Sequence, residues 1–157
     1  MLKTTIHVRG LEQFPGRPEV QDAIGRALRR GVRAIVVRAQ RNLAGRYLRV
    51  RTGKLRRGMR ASVKVHGGNF IATVRNVVFY GHILESGAAA HLVKPKRGKF
   101  LRFEVAGRIV FARQVVHPGL RPRPWFRAAV IEALPELQRA FEQELGVLST
   151  VHGRIAS

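Results

Sequence analysis

The sequence contains no cysteine, which excludes a disulfide framework, a thiolate metal site and a cysteine nucleophile. Acidic residues are also scarce, with Asp and Glu totalling 9 against 30 Lys and Arg, for a formal net charge of +21. From Ala23 to Ile131 the carboxylates are Glu85 and Glu104 alone, so paired-acid catalysis has little to draw on. The four serines, Ser62, Ser86, Ser149 and Ser157, sit in no Ser–His–acid motif. No glycine-rich phosphate cradle, helix-turn-helix or zinc-finger pattern occurs. Apolar runs are only a few residues long, too short for a membrane span. The opening Met1-Leu2-Lys3-Thr4-Thr5 has no apolar signal core, so export is not expected.

What is present is arginine: 24 of the 30 basic residues. The guanidinium fork suits phosphate and carboxylate, although a high-GC genome would enrich Arg without any function. The central basic stretch is flanked by acids at both ends, Glu19 and Asp22 on one side and Glu132, Glu136, Glu142 and Glu144 on the other. That polarity fits a basic body with an acidic C-terminal helix, suited to head-to-tail packing of copies or to a polyanion partner.

The 157 residues suffice for one domain with a real core. Residues 3–9 alternate and read as a strand. An amphipathic helix starts near Pro18, with Val20, Ile24, Leu28, Val32, Ile35, Ala39 and Leu43 on its apolar stripe and Gly45 as its stop. Residues 46–51 read as an extended link, and Thr52 as the cap of a helical turn over 53–57. Ala61, Val63 and Val65, then Phe70, Ala72 and Val74, alternate as two strands joined at His66-Gly67-Gly68-Asn69. Residues 79–85 fit a short helix closed by Gly87, and 88–99 a mobile loop. A second hairpin over 100–105 and 108–116 turns at Ala106-Gly107, with Phe100 and Phe103 expected in the core and Phe111 on the face of Phe103. A helix from Trp125 should kink or break at Pro135.

The expectation is an α+β fold: an antiparallel or mixed sheet of two hairpins plus an N-terminal strand, packed by a long N-terminal helix and a C-terminal helix. Residues 1–145 form the domain, and 146–157 a tail that is flexible or docked on a partner.

An acid–base or metal site would have to use His82 and Glu85, three residues apart, with His91 and His117. The bland reading, in which Glu85 neutralises a basic neighbour, is preferred, so no catalytic, cofactor or metal residues are assigned. Basic stretches lie at Arg49, Arg51, Lys54, Arg56, Arg57 and Arg60, and at Lys94, Lys96, Arg97 and Lys99. With few aromatics among them they offer no stacking platform for single strands. A sequence-blind, phosphate-neutralising surface is the alternative that the charge supports.

Four ordered segments carry a resemblance. They are Arg51-Thr52-Gly53-Lys54-Leu55-Arg56-Arg57, then Phe79-Tyr80-Gly81-His82-Ile83-Leu84-Glu85-Ser86-Gly87, then Lys99-Phe100-Leu101-Arg102-Phe103, and His117-Pro118-Gly119 followed by Arg123-Pro124-Trp125-Phe126-Arg127-Ala128-Ala129. With the preceding long helix, this set resembles the minor tail-component, or tail-completion, family of tailed bacteriophages and prophages. The chain departs from the family pattern at Val50-Arg51, where Pro is common before the Thr-Gly turn, at Gly81 in place of Ala, and at Ser86-Gly87-Ala88 in place of Gly-Thr.

The resemblance implies a non-enzymatic virion protein of the neck. Its copies would form a homo-oligomeric ring, a hexamer first and a dodecamer second, between the head connector and the tail tube. Connector, adaptor or stopper proteins and the tail terminator or tube would be its partners, with no membrane. Contact with packaged DNA is left open, as is a terminator or stopper role in the same neck. The residues expected to define the fold or its contacts are Thr52, Gly53, Leu55, Tyr80, Glu85, Gly87, Pro118, Gly119, Pro124, Trp125 and Phe126. Among them Thr52 caps, Leu55 plugs the sheet edge, the Tyr80 hydroxyl finds a partner, and Glu85 pairs with Arg57 or Arg127 within or between subunits.

Overall fold

The computed structural model describes residues 2–8, 17–46, 52–66 and 69–155. The fold class is α+β, as the residue pattern predicts. Strands β1 (Leu2–Val8), β2 (Met59–His66) and β3 (Asn69–Asn76) form an antiparallel sheet in the order β1-β3-β2. Alternation in β3 sets its faces. Phe70, Ala72, Val74 and Asn76 are buried on one side, while Ile71, Thr73 and Arg75 point away.

Helix α1 (Pro18–Arg41) covers the buried face. Proline opens the helix, Glu19 lies at its positive end, and Arg38 and Arg41 at its negative end. Its stripe runs through Ile24, Leu28, Val32, Ile35 and Ala39, all buried. Burying a side chain such as Leu28 or Ile35 contributes about 1.5–3 kcal/mol each. One wider turn over Asn42–Arg46 ends the helix, with Gly45 at φ +136°. The 46–51 link falls, beyond Arg46, outside the described residues, as do Arg49, Arg51 and the Gly67-Gly68 turn.

Helix α4 (Trp125–Ile155) packs antiparallel to α1. Gly31 admits the Leu137 side chain at the crossing, where a Cβ would occupy its space. The α4 helix runs through Pro135 without a break, one of the two outcomes expected there beside a kink. Proline withholds the N–H that Ile131 would receive, but both residues are exposed, so water can reach that carbonyl. The helix also continues past Gly146 to Ile155, into the segment read as a tail that is flexible or docked on a partner.

Two short helices, α2 (Lys54–Arg57) and α3 (Gly81–Ser86), flank the central hairpin. Between α3 and α4 the expected mobile loop is partly a strand. Strand β4 (His91–Val93) pairs with β7 (Val115–His117), β5 (Leu101–Val105) pairs with β6 (Arg108–Ala112), and Ala88 bridges Leu120. The three antiparallel pairings nest in sequence to form an arm of two two-stranded sheets and a bridge, separate from the three-stranded sheet. The turn at Ala106 and Gly107 takes φ of 49° and 79°, both positive, as a two-residue hairpin loop requires.

Candidate functional site

Most of the residues singled out from the sequence meet where the arm joins the body. No helix-capping side chain sits at Arg123 or Pro124 just before α4, so its first N–H groups need a remote acceptor. Glu85, at the end of α3, supplies it. Its Oε2 accepts the Phe126 N–H and its Oε1 the Arg127 N–H, each at 2.8 Å. Within the subunit the carboxylate thus binds the helix backbone rather than the Arg57 or Arg127 side chain, because a helix N-terminus offers both aligned donors and partial positive charge. Arg57 instead donates to the Thr52 carbonyl at 2.9 Å. The Arg123 N–H bonds back to the Leu84 carbonyl at 3.0 Å, clamping α3 to the entry of α4. Pro124 is exposed at that entry and its carbonyl receives the Ala128 N–H at 3.1 Å. Trp125 and Phe126 then enter the core, 0% and 4% exposed, in an edge-on ring contact at 5.6 Å.

Backbones approach closely at the base of the arm. Gly87 has φ +76°, and a Cβ there would lie 2.5 Å from the Leu120 carbonyl oxygen. Gly119, φ +86°, faces the Ala88 carbonyl across the bridge in the same way. Only glycine satisfies both the dihedral and the space. Pro118, exposed, ends β7 beside it.

On the other side of α3, Gly53 at φ +66° holds the cap position of α2, with Thr52 one residue earlier. The Thr52 hydroxyl is 3.4 Å from the Lys54 nitrogen, too long for the cap that the sequence suggests. Leu55 is half-buried against the core, and its carbonyl accepts the Asn76 amide at 2.8 Å. Tyr80 packs edge-on to Phe79 at 5.5 Å, and among the described residues its hydroxyl shows no partner.

Two residues that sequence reasoning missed hold this junction. Asn76, 0% exposed, donates to the Leu55 carbonyl and accepts the Val78 N–H at 2.9 Å. Asn42, 1% exposed, donates to the Trp125 carbonyl at 2.9 Å. The available signal was the pattern itself: the β3 alternation and the α1 stripe each run on into an asparagine at a core position.

The arm is chemically unusual. From His82 to Pro124 no residue is buried. Register places Phe103 opposite Val110, and Phe111 opposite Arg102, so Phe103 and Phe111 lie on opposite faces, contrary to expectation. Phe100, expected in the core, is half exposed, and Ile109, Phe111 and Val116 are 54%, 63% and 67% exposed. Lys94, Lys96, Arg97 and Lys99 occupy the segment between β4 and β5, all exposed. The other basic stretch, Lys54, Arg56, Arg57 and Arg60, lies on α2 and the start of β2. Arg60 is thereby brought together with Lys3, Lys64 and Arg75 around a concavity of 460 Å³ on the outer face of the sheet.

The acid–base candidates do not form a reactive group. Glu85 is engaged through both oxygens, and His82 is exposed. His91 and His117 stack at 5.0 Å across the β4–β7 pair. Among the described residues no cluster of three or more His, Asp or Glu could hold a metal ion, and no helix is long and apolar enough to cross a membrane.

No curated protein and no solved structure matches the chain. A family model does, over residues 7–87, from β1 to the glycine that closes α3, and it is described as "Bacteriophage HK97-gp10, putative tail-component". Two of the four segments that carried the resemblance, around Thr52-Gly53 and around Tyr80 to Gly87, fall inside that match. The chain therefore belongs to the HK97-gp10-like family of bacteriophage tail components.

Proposed function

We propose that this tail component is a ring-forming structural subunit of the phage neck, joining the head connector to the tail tube. The observation that carries the reading is the arm over residues 88–120, which shows apolar side chains to solvent on both faces of a two-stranded ribbon. Such a ribbon is marginal in water without a covering surface, and exposed apolar patches mark contact sites. Its base, by contrast, is fixed by the Glu85 cap, the Ala88–Leu120 bridge and two positive-φ glycines. A rigid root with an unburied blade is the geometry of an element that completes its packing on a neighbouring copy, as a closed ring requires. The role is mechanical, and tail terminator or stopper is the same role at an adjacent level of the neck.

The test is a particle reconstruction combined with incorporation of an Ile109→Ser/Phe111→Ser variant. The chain should appear as a ring at the neck with each arm against its neighbour, and the variant should fold but fail to enter particles. A single copy per particle, or a location away from the neck, overturns the reading.

A further inference from the structure

The outer face of the three-stranded sheet forms a grid whose chemistry is not used by the arm. Cross-strand register aligns Lys3, Arg75 and Arg60 in one row. Thr5, Thr73 and Ser62 form the next row, and His7, Ile71 and Lys64 the third. Among the described residues no carboxylate stands on this face and none pairs with Lys3, Arg60, Lys64 or Arg75. Like charges directly opposite on neighbouring strands destabilise a sheet, and no carboxylate among the described residues compensates this row of three. The Arg60 Nη1 is braced on the Arg57 and Met59 carbonyls at 2.7 and 2.9 Å, which restrains its guanidinium beside the concavity.

We infer that this face binds the sugar–phosphate backbone of double-stranded DNA without reading sequence. Cations spaced about 4.8 Å apart across strands, with hydroxyl donors one row away, match a partner whose negative charges are dense and whose oxygens only accept. Duplex DNA presents one charge per ~1.7 Å of axis. Among the described residues this face has no Phe, Tyr or Trp on which unpaired bases could stack, and this favours duplex over single strand. The inference goes beyond the ring reading and does not require it, since one subunit carries the whole grid.

The experiment measures binding of the full chain to a mixed-sequence 30-base-pair duplex across a salt series. A Lys3→Thr/Arg60→Thr/Arg75→Thr variant should lower the salt slope by ~2.7, at ~0.9 per lost phosphate contact. Single Arg75→Thr should lower it by ~0.9, and Arg60→Lys/Arg75→Lys should retain binding. Both Thr variants replace exposed strand residues with a good strand former, and circular dichroism confirms their fold. A Lys94→Ser/Lys96→Ser/Arg97→Ser variant removes equal charge from the arm and should leave most of the slope in place. The inference is overturned if the arm variant loses as much as the sheet variant. It is equally overturned if polyglutamate competes as well as duplex at equal charge, or if the parent fails to bind at low salt.

Discussion

A single carboxylate decides how the last helix begins. The residues before Trp125 are Arg123 and Pro124, neither of which caps, and Glu85 reaches the Phe126 and Arg127 N–H groups from α3. Removing it leaves two donors without their acceptor and a helix end without its counter-charge. Glu85→Ala should therefore cost about 2–3 kcal/mol. In a chain of this size that corresponds to a drop of about 4–12 °C in melting temperature. Glu85→Gln keeps one carbonyl acceptor and should fall between parent and alanine, while His82→Ala, at an exposed position, should stay within ~0.5 kcal/mol of the parent. Thermal melting followed by circular dichroism reads all three, and an alanine variant that melts with the parent would refute the capping role. None of this was legible from spacing, because the cap and its helix are 41 residues apart and meet only through tertiary structure. Asn76 and Asn42 share that difficulty. Their periodic positions mark them as core, but which carbonyls they serve depends on α2 and α4 arriving beside them.

At the scale of elements, the body and the hairpin turned at Ala106 and Gly107 were readable, but what covers that hairpin was not, for one physical reason. Hydrophobic alternation reports that a surface must be covered, not what covers it. In β3 the cover is α1, within the chain, so Phe70, Ala72 and Val74 are buried as expected. In β5 the alternating Leu101 and Phe103 are only half-buried and Val105 is exposed, and placing Phe100 and Phe103 in the core assumed a full internal cover that the described residues do not supply. Pro135 does not break α4, which runs on through it, because the carbonyl left without its N–H lies on an exposed helix surface. The basic sheet face escaped notice because Lys3, Arg60 and Arg75 are distant in sequence and become neighbours only through register. An arm outside the core also makes a prediction about stability. Ala88 and Leu120 already exchange N–H···O bonds of 3.0 and 2.8 Å, so residues 89–119 can be replaced by an Asn-Gly turn. The shortened chain should melt within ~0.5 kcal/mol of the parent while losing self-association in native mass measurements. A large drop in melting temperature would mean that the arm supports the body after all.

The whole molecule is governed by its excess of positive charge, and salt separates the forces acting on it. The polarity of the sequence suggests that the acidic C-terminal helix could receive the basic body of a second copy. In the fold those acids are engaged at home: Glu144 with Arg26 at 2.8 Å and Arg30 at 3.7 Å, and Glu136 with Arg38 at 2.8 Å. These pairs tie α4 to α1 but are partly solvent-exposed, and each contributes about 0–1 kcal/mol. What one copy presents to another is thus mostly apolar arm and unneutralised cation. Subunits each carrying +21 repel one another, and added salt shortens that repulsion from a range of about 30 Å at 0.01 M to about 8 Å at 0.15 M. Self-association should accordingly strengthen as salt is raised over this range, in sedimentation or native mass measurements, while binding to duplex DNA weakens over the same interval. If arm lysines instead met α4 acids between copies, both associations would weaken together. The sign of the salt effect on assembly therefore tests whether the arm acts through its apolar faces, and an assembly that dissolves as salt rises would transfer the contact to the charges.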